Sequence, residues 1–159
     1  MAWSRRGPWH SDGMGTSFVD FRGRGFWTSD GKLEIWLHLL TLAVTRRTER
    51  AEWLDEAGEH WHEQSTAGFT GCVSADLDRW VGRQPDRVVV VAELAGDARR
   101  ALLGAGVLRC TDLSSAGLGG PDSSWTADLD AAVVLPVADA FTALLDCRIA
   151  WDSRTSPVL

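Results

Sequence analysis

Several residue types that mark particular protein classes are scarce in this 159-residue chain. Tyr and Asn are absent, and Lys32 is the only Lys among the 16 basic residues. The depleted types share AT-rich codons, so this bias indicates a GC-rich genome and carries no functional information. No apolar run reaches the ~20 residues that a membrane-spanning helix needs. We therefore expect no association with a membrane.

Cysteine is also sparse. The three cysteines, Cys72, Cys110 and Cys147, form neither a CxxC pair nor a zinc-binding spacing. Reduced thiols in a cytoplasmic protein are the simplest interpretation, and no cofactor is expected. Arg5 and Arg6 are not followed by the apolar core of a secretory signal peptide, which agrees with a cytoplasmic location.

Positive charge is in deficit, and the net charge is -6. Residues 1–50 carry eight basic and five acidic side chains, whereas residues 51–159 carry eight basic and seventeen acidic ones. An acidic body lacks the basic face that binding to a phosphate backbone requires, so we expect no nucleic-acid partner. The same charge suits a protein partner with a basic surface.

The dominant apolar pattern lies at Lys32–Thr45. On a helix of 100° per residue, apolar side chains cover most of the circumference, and only Glu34, His38, Thr41 and Thr45 share a narrow polar stripe. A helix that is apolar on most sides belongs at the centre of a domain. The sequence therefore predicts an all-α single domain, a bundle of about five helices around this buried central helix.

The chain divides into three predicted parts. Residues 1–16 mix Gly, Ser and Arg without periodicity, which predicts a flexible arm. Residues 17–151 form the helical domain, and residues 152–159 form a polar tail. Met14 is an alternative start of the chain, and the aromatic residues of the arm leave a docking role open for it.

The remaining pattern predicts a small hairpin and four further helices. Two aromatic segments on either side of Arg22–Arg24 indicate a hairpin or an extended lead-in, and Ser29 and Asp30 are expected N-caps of the central helix. Helical periodicity places the other helices at Glu49–Ser65 after a Thr48 cap, from Pro85 to about Leu103, and within Ala131–Arg148. A further short helix, capped by Ser74, carries Leu77, Trp80 and Val81.

The segment Gly104–Asp130 is rich in Gly, Ser and Asp. We predict a loop with at most one helical turn, near Asp112–Ala116. A loop of this length in a compact domain is either functional or contains an element that the pattern does not reveal.

The predicted helix Glu49–Ser65 is the most clearly amphipathic one. Its polar face collects five carboxylates, although like-charge pairs four residues apart cost ~0.2–0.5 kcal/mol each in an isolated helix. This face suits docking to a basic protein, and a merely solvated surface is the alternative. The candidate binding residues are Glu52, Asp55, Glu56, Glu59 and Glu63.

Two carboxylate–imidazole pairs offer alternative functions. Glu34 and His38 lie one turn apart on the buried helix, and they are candidate catalytic or ligand-binding residues if they line an interior pocket. A satisfied core pair is the other interpretation. Glu59 and His62 have the Glu-x-x-His spacing of di-iron bundles, but a single such motif falls short of the ligand set, so no metal is expected.

The segments Gly25–Leu40 and Trp53–Val73 resemble uncharacterised small proteins of high-GC actinobacteria. The resemblance covers residues 18–83 at best, concerns core-packing positions and implies no site residues. Some small acidic proteins of this kind are immunity proteins of toxin systems, which is an analogy of size and charge. The leading prediction is a non-catalytic acidic protein that binds a basic protein partner, such as an immunity or accessory protein. The alternative is a small enzyme or ligand-binding bundle with a Glu34/His38 pocket.

Overall fold

The structure, a computed structural model, describes residues 15–159. Within this range six α-helices make the chain 52% helical, and two two-stranded antiparallel sheets add 12% strand. The fold is therefore mixed, and the all-α prediction was wrong. Met14 and nearly all of the predicted arm lie outside the described residues.

The fold begins with two strands, which four helices follow, and two short strands lie between the later helices. In chain order they are β1 (Thr16–Phe21), β2 (Arg24–Ser29), α1 (Asp30–Thr45), α2 (Glu52–Thr66), α3 (Leu77–Trp80), α4 (Pro85–Ala105), β3 (Val107–Leu108), α5 (Cys110–Ser115), β4 (Leu129–Asp130) and α6 (Leu135–Leu145), the last preceded by a 3-10 turn at Ala131–Val133.

β1 and β2 form a hairpin whose register pairs Thr16 with Ser29. Arg22 and Gly23 connect the strands with φ angles of 54° and 76°. This left-handed conformation is the one that two-residue hairpin turns require. Of the two alternatives for this region, the structure shows the hairpin, and Thr16 belongs to the sheet instead of the arm.

The C-terminal segment packs beside β2. The Leu159 amide donates to the Trp27 carbonyl at 2.8 Å, and the Trp27 amide donates to the Ser156 hydroxyl at 3.0 Å. Residues 152–159, predicted as a polar tail, thus run along the edge of β2 that β1 leaves free.

α1 is the centre of the fold, as its apolar pattern predicted. It packs against α2, α4 and α6, and the edge of the Trp36 ring meets the Phe141 ring with centroids 5.6 Å apart. Burying one Leu or Ile side chain stabilises a fold by about 1.5–3 kcal/mol, so this helix supplies much of the core. Its fully buried apolar residues are Leu33, Ile35, Trp36, Leu37 and Leu40.

α2 begins later than the sequence predicted. Its N-cap is Ala51, which makes no side-chain cap, and the expected Thr48 cap lies in the connection before it. The Arg50 guanidinium donates to Asp55 at 2.6 Å and to the Thr45 carbonyl at 3.3 Å. These bonds join the residues between α1 and α2 to the ends of both helices. The helix therefore begins after Ala51, and the predicted cap by Thr48 does not form.

The predicted loop Gly104–Asp130 contains three short elements. β3 and β4 pair antiparallel, with Val107 opposite Asp130, and α5 begins two residues before the predicted turn. Strands of two residues are too short to leave a periodic signal in the sequence. Pro136 lies in the first turn of α6, where its missing N–H costs nothing, so it starts that helix and does not bend it.

α4 has 21 residues and continues two residues beyond its predicted end at Leu103. Its charged residues interrupt the apolar stretch around Val88–Val91. Neither α4 nor any other helix in the range 15–159 combines the length and apolar character that crossing a bilayer demands.

A buried carboxyl group joins the hairpin, α1 and the loop after α2. Asp30 Oδ1 accepts from the Ser17 hydroxyl at 2.6 Å, and Oδ2 accepts from the Gly71 amide at 2.8 Å. Ser17 Oγ in turn accepts from the Val73 amide at 2.9 Å. Asp30 thus connects elements inside the fold, while Ser29 occupies the N-cap position without a side-chain hydrogen bond.

We predict that Asp30→Asn lowers the free energy of unfolding by about 1–3 kcal/mol, because the carboxamide offers one acceptor where two donors converge. Ser29→Ala, the matched control in the preceding position, changes the free energy of unfolding by less than about 0.5 kcal/mol. Urea unfolding followed by tryptophan fluorescence measures both. Equal losses in the two variants would contradict the structural role of Asp30.

Candidate functional site

Two loops and α1 enclose a pocket of about 280 Å³. One wall is residues 67–70, which follow α2, and the other is residues 119–123, between α5 and β4. Glu34 is the lining residue that α1 contributes. We refer to this space, with these lining residues, as the Glu34 pocket.

The two walls meet through glycine residues. A Cβ atom on Gly120 would lie 2.8 Å from the Gly68 Cα atom, closer than real Cβ contacts come. Gly68 itself has a φ of +77° directly after the C-cap of α2, a position that favours glycine. The Gly119 amide also donates to the Ser65 carbonyl at 3.1 Å. These contacts hold the walls together and preform the pocket.

Trp125 fixes the second wall against α1. Its indole Nε1 donates to the Leu118 carbonyl at 3.1 Å, and its amide donates to the Ser114 hydroxyl at 2.9 Å. The indole ring lies 3.4 Å from where a Cβ of Gly31 would stand. The aromatic ring therefore anchors residues 119–123 near the first turn of α1.

The Glu34 carboxyl group is the buried ionisable group of the pocket. The residue is 4% exposed, and its Oε2 atom has no hydrogen-bond partner within residues 15–159. Burial raises the pKa of Glu34 to about 8, and the charge of nearby Asp30 adds to the rise. At neutral pH the carboxyl group is mostly protonated, so it can donate a hydrogen bond or exchange a proton with a bound molecule.

Ser123 places a second buried polar atom at the same pocket. Its Oγ atom also lacks a hydrogen-bond partner in the described part of the chain. A Cβ atom built on Gly119 would lie 2.6 Å from this oxygen and 3.4 Å from Glu34 Oε2. The two oxygens therefore lie close together beside Gly119, and both residues line the pocket. Buried polar atoms are ordinarily hydrogen-bonded, so we expect water or a bound molecule to supply the partners.

His38 lies outside the lining of the Glu34 pocket. Its Nδ1 atom is buried without a partner in residues 15–159. Burial lowers the pKa of His38, and the charge of His62 on α2 lowers it further. Of the predicted pair, Glu34 lines the pocket and His38 does not.

The five carboxylates of α2 all lie on its exposed face. Asp55 forms an ion pair with Arg50, with Nε and Oδ1 2.6 Å apart. The other four make no ion pair within residues 15–159. Binding of a protein partner by this acidic face, which comprises Glu52, Asp55, Glu56, Glu59 and Glu63, stays a prediction.

The alternative metal ligands Glu59 and His62 are both exposed on α2. In the described part of the chain, no group of three or more His, Cys, Asp or Glu side chains is arranged to hold a metal ion. The three cysteines are free thiols, and Cys72 and Cys147 are exposed.

Sequence reasoning reached Glu34 but missed Ser123 and the contact between the loops. The one available signal was the Gly- and Ser-rich composition of Gly104–Asp130, which suggested either a functional loop or a missed element. The second suggestion is correct, since this segment contains α5, and the segment also forms the second wall of the Glu34 pocket.

No protein-family model matches the chain, and no curated protein or solved structure shows significant similarity to it. The chemistry of the site therefore follows from its own geometry.

Glu34 makes the stability of the fold depend on pH. Its pKa is about 8 when folded against an ordinary value of 4.5, so its favourable contribution is complete below pH 4.5 and is lost as the pH rises through about 8. We predict that the wild type loses about 1 kcal/mol of unfolding free energy between pH 7 and pH 9 relative to Glu34→Gln.

Urea unfolding of both proteins at several pH values in this range measures the difference. The range avoids His38, whose lowered pKa destabilises the fold at pH values below its ordinary value of 6.5. Parallel pH profiles for the wild type and Glu34→Gln would contradict the burial of an ionisable carboxyl group at this position.

Proposed function

We propose that the protein binds a small molecule in the Glu34 pocket. The observation that supports this function is the convergence of two buried oxygens, Glu34 Oε2 and Ser123 Oγ, on one pocket without partners in residues 15–159. Binding pockets typically combine an enclosed volume with a few convergent polar groups.

The energetics of the two oxygens favour a ligand over a packing defect. Leaving a buried polar group without a hydrogen bond costs about 1–3 kcal/mol. Two such groups at one place are costly for a structure that gains nothing from them. A ligand that supplies both hydrogen bonds recovers this energy on binding.

The walls of the pocket need little rearrangement to accept a ligand. One is tied to α1 by the hydrogen bond from the Gly71 amide to Asp30, and the two are joined by the bond from Gly119 to Ser65. A preformed site avoids the entropic cost of ordering loops on binding. The volume of about 280 Å³ suits a compact molecule.

Screening small polar compounds by ligand-observed NMR tests this proposal. Ala67 is exposed and lines the pocket, so Ala67→Phe fills the entrance without disturbing the core. We expect compounds that bind the wild type to lose binding to Ala67→Phe and to retain it with the control Ala105→Phe, at the exposed end of α4. Ser123→Ala should weaken binding roughly tenfold through the loss of one hydrogen bond.

Two results would count against the pocket as the functional site. One is a screen without any binder at millimolar concentration. The other is a set of binders whose affinities are the same for the wild type, Ala67→Phe and Ser123→Ala, since these would bind elsewhere on the surface.

A second candidate function is docking of a basic protein on the acidic face of α2. The specific observation in its favour is that four of the five carboxylates are exposed without an ion pair in residues 15–159. Like charges held together repel one another, and a positively charged partner relieves that repulsion.

Charge reversal distinguishes this candidate. We expect Glu56→Arg combined with Glu59→Arg to abolish capture of a basic protein, and capture by the wild type to weaken steeply as salt rises. The control, Glu93→Arg with Asp97→Arg on exposed positions of α4, changes net charge equally and should leave capture intact. Capture that is insensitive to salt, or that both reversals weaken equally, would refute the acidic face as a binding surface.

A further inference from the structure

We propose that the ligand of the Glu34 pocket is a small organic cation whose ammonium group is held by Glu34 and Ser123. This inference rests on the proposed binding function and specifies the chemical class of the ligand. It follows from the charges, the hydrogen-bonding atoms and the aromatic surface that the pocket presents.

The charge of the pocket is of one sign. Among the lining residues that the structure describes, only Glu34 and Asp122 ionise, and both are acidic. Asp30 lies one turn before Glu34 on α1 and adds a third carboxyl group to the electrostatic field at the pocket. The loop of residues 67–70 contributes no ionisable side chain. Below about pH 8 Glu34 is mostly protonated, so the negative charge at the pocket comes from Asp122 and Asp30, and above this pH Glu34 adds to it. A cation is the ligand that this arrangement attracts, and an anion is repelled.

The hydrogen-bonding atoms fit an ammonium group. Glu34 Oε2 is buried, lacks a partner in residues 15–159 and accepts once the carboxyl group is ionised. Ser123 Oγ, from the opposite wall, supplies a second acceptor for the three N–H donors. A charge-assisted bond between ammonium and carboxylate is stronger than a bond between neutral groups.

The residues that line the pocket favour an organic cation over a metal ion. The described residues hold no cluster of three or more metal-ligating side chains, whereas the half-buried aromatic residue Phe69 is among the residues that line the first wall. An aromatic ring stabilises alkylammonium groups through its negative face and also covers their apolar carbons. The pocket therefore offers surface for both halves of such a ligand.

Binding of a cation is coupled to the proton on Glu34. The empty pocket holds a protonated carboxyl group below about pH 8, and the cation favours the ionised form. Binding at neutral pH therefore releases a proton, and affinity should rise about tenfold between pH 7 and pH 9. A neutral or anionic ligand that accepts a hydrogen bond from protonated Glu34 shows the opposite dependence and loses affinity over this range.

Three probes of similar size separate these cases: n-butylammonium, butyramide and butyrate. Each is titrated into the full-length protein while the backbone amide signals of Gly68, Gly119 and Gly120 are followed by NMR. We expect n-butylammonium to shift these glycine signals with an affinity that rises with pH. We expect Glu34→Gln to weaken its binding at least tenfold at pH 8.5, and the control Glu56→Gln, an exposed carboxylate on α2, to leave it unchanged.

The outcomes separate this inference from the proposed function. If butyramide or butyrate shifts the same glycine signals and n-butylammonium does not, the cation assignment is wrong while the pocket still binds a ligand. Binding of n-butylammonium that Glu34→Gln leaves intact also overturns the assignment. If none of the three probes shifts the glycine signals at 50 mM, the assignment fails, and the compound screen alone decides whether the pocket binds anything.

Discussion

The burial of the first turns of α1 constrains the rest of the structure, because it carries two carboxyl groups into the interior. The fold satisfies one of them and not the other. Asp30 accepts hydrogen bonds from Ser17 and Gly71, which join the hairpin to the loop after α2. Glu34, one turn later, has a buried oxygen without a partner in residues 15–159. The first carboxyl group positions a wall of the pocket, and the second lies inside it.

The difference between the two carboxyl groups shows that the burial of Glu34 lowers the stability of the fold. An apolar side chain at position 34 would pack in the core without the desolvation that raises the pKa of the Glu34 carboxyl group to about 8. Folded proteins keep such costly groups mainly where a binding or catalytic role requires them. The same locality holds the tight Gly68–Gly120 contact and the buried Ser123 hydroxyl, so the unusual features of the chain concentrate at one site.

Sequence patterns predicted those parts of the fold that depend on many apolar residues. The central position of α1 followed from its periodicity, and the helical state of Val88–Val91 followed from the longer pattern of α4. Features that depend on one or two contacts were not predictable. Arg50 bonds to Asp55 and to the Thr45 carbonyl just where α2 begins, and the two-residue strands β3 and β4 pair over a distance that no local pattern reveals.

Only the part of the pocket that lies on α1 could be predicted from the sequence, because only that part belongs to a long apolar pattern. A glutamate in a nearly apolar helix stands out in the sequence, so Glu34 was found. His38 lies on the same predicted stripe, yet it is not among the residues that line the pocket. Ser123 lies 89 positions away from Glu34 in the chain, in a loop that also holds Trp125, and both Ser123 and Glu34 line the pocket. Nothing local to Ser123 signals that position.

Glu34 is a buried carboxyl group that lines a preformed pocket, and its Oε2 atom has no hydrogen-bond partner in residues 15–159. A pH titration of its side-chain carboxyl carbon by NMR, in protein labelled at glutamate and with Glu34→Gln to assign the signal, measures this directly. We expect a titration midpoint near 8 for the buried carboxyl group. A midpoint near the ordinary value of 4.5 would show a solvated carboxylate and would contradict the burial of Glu34.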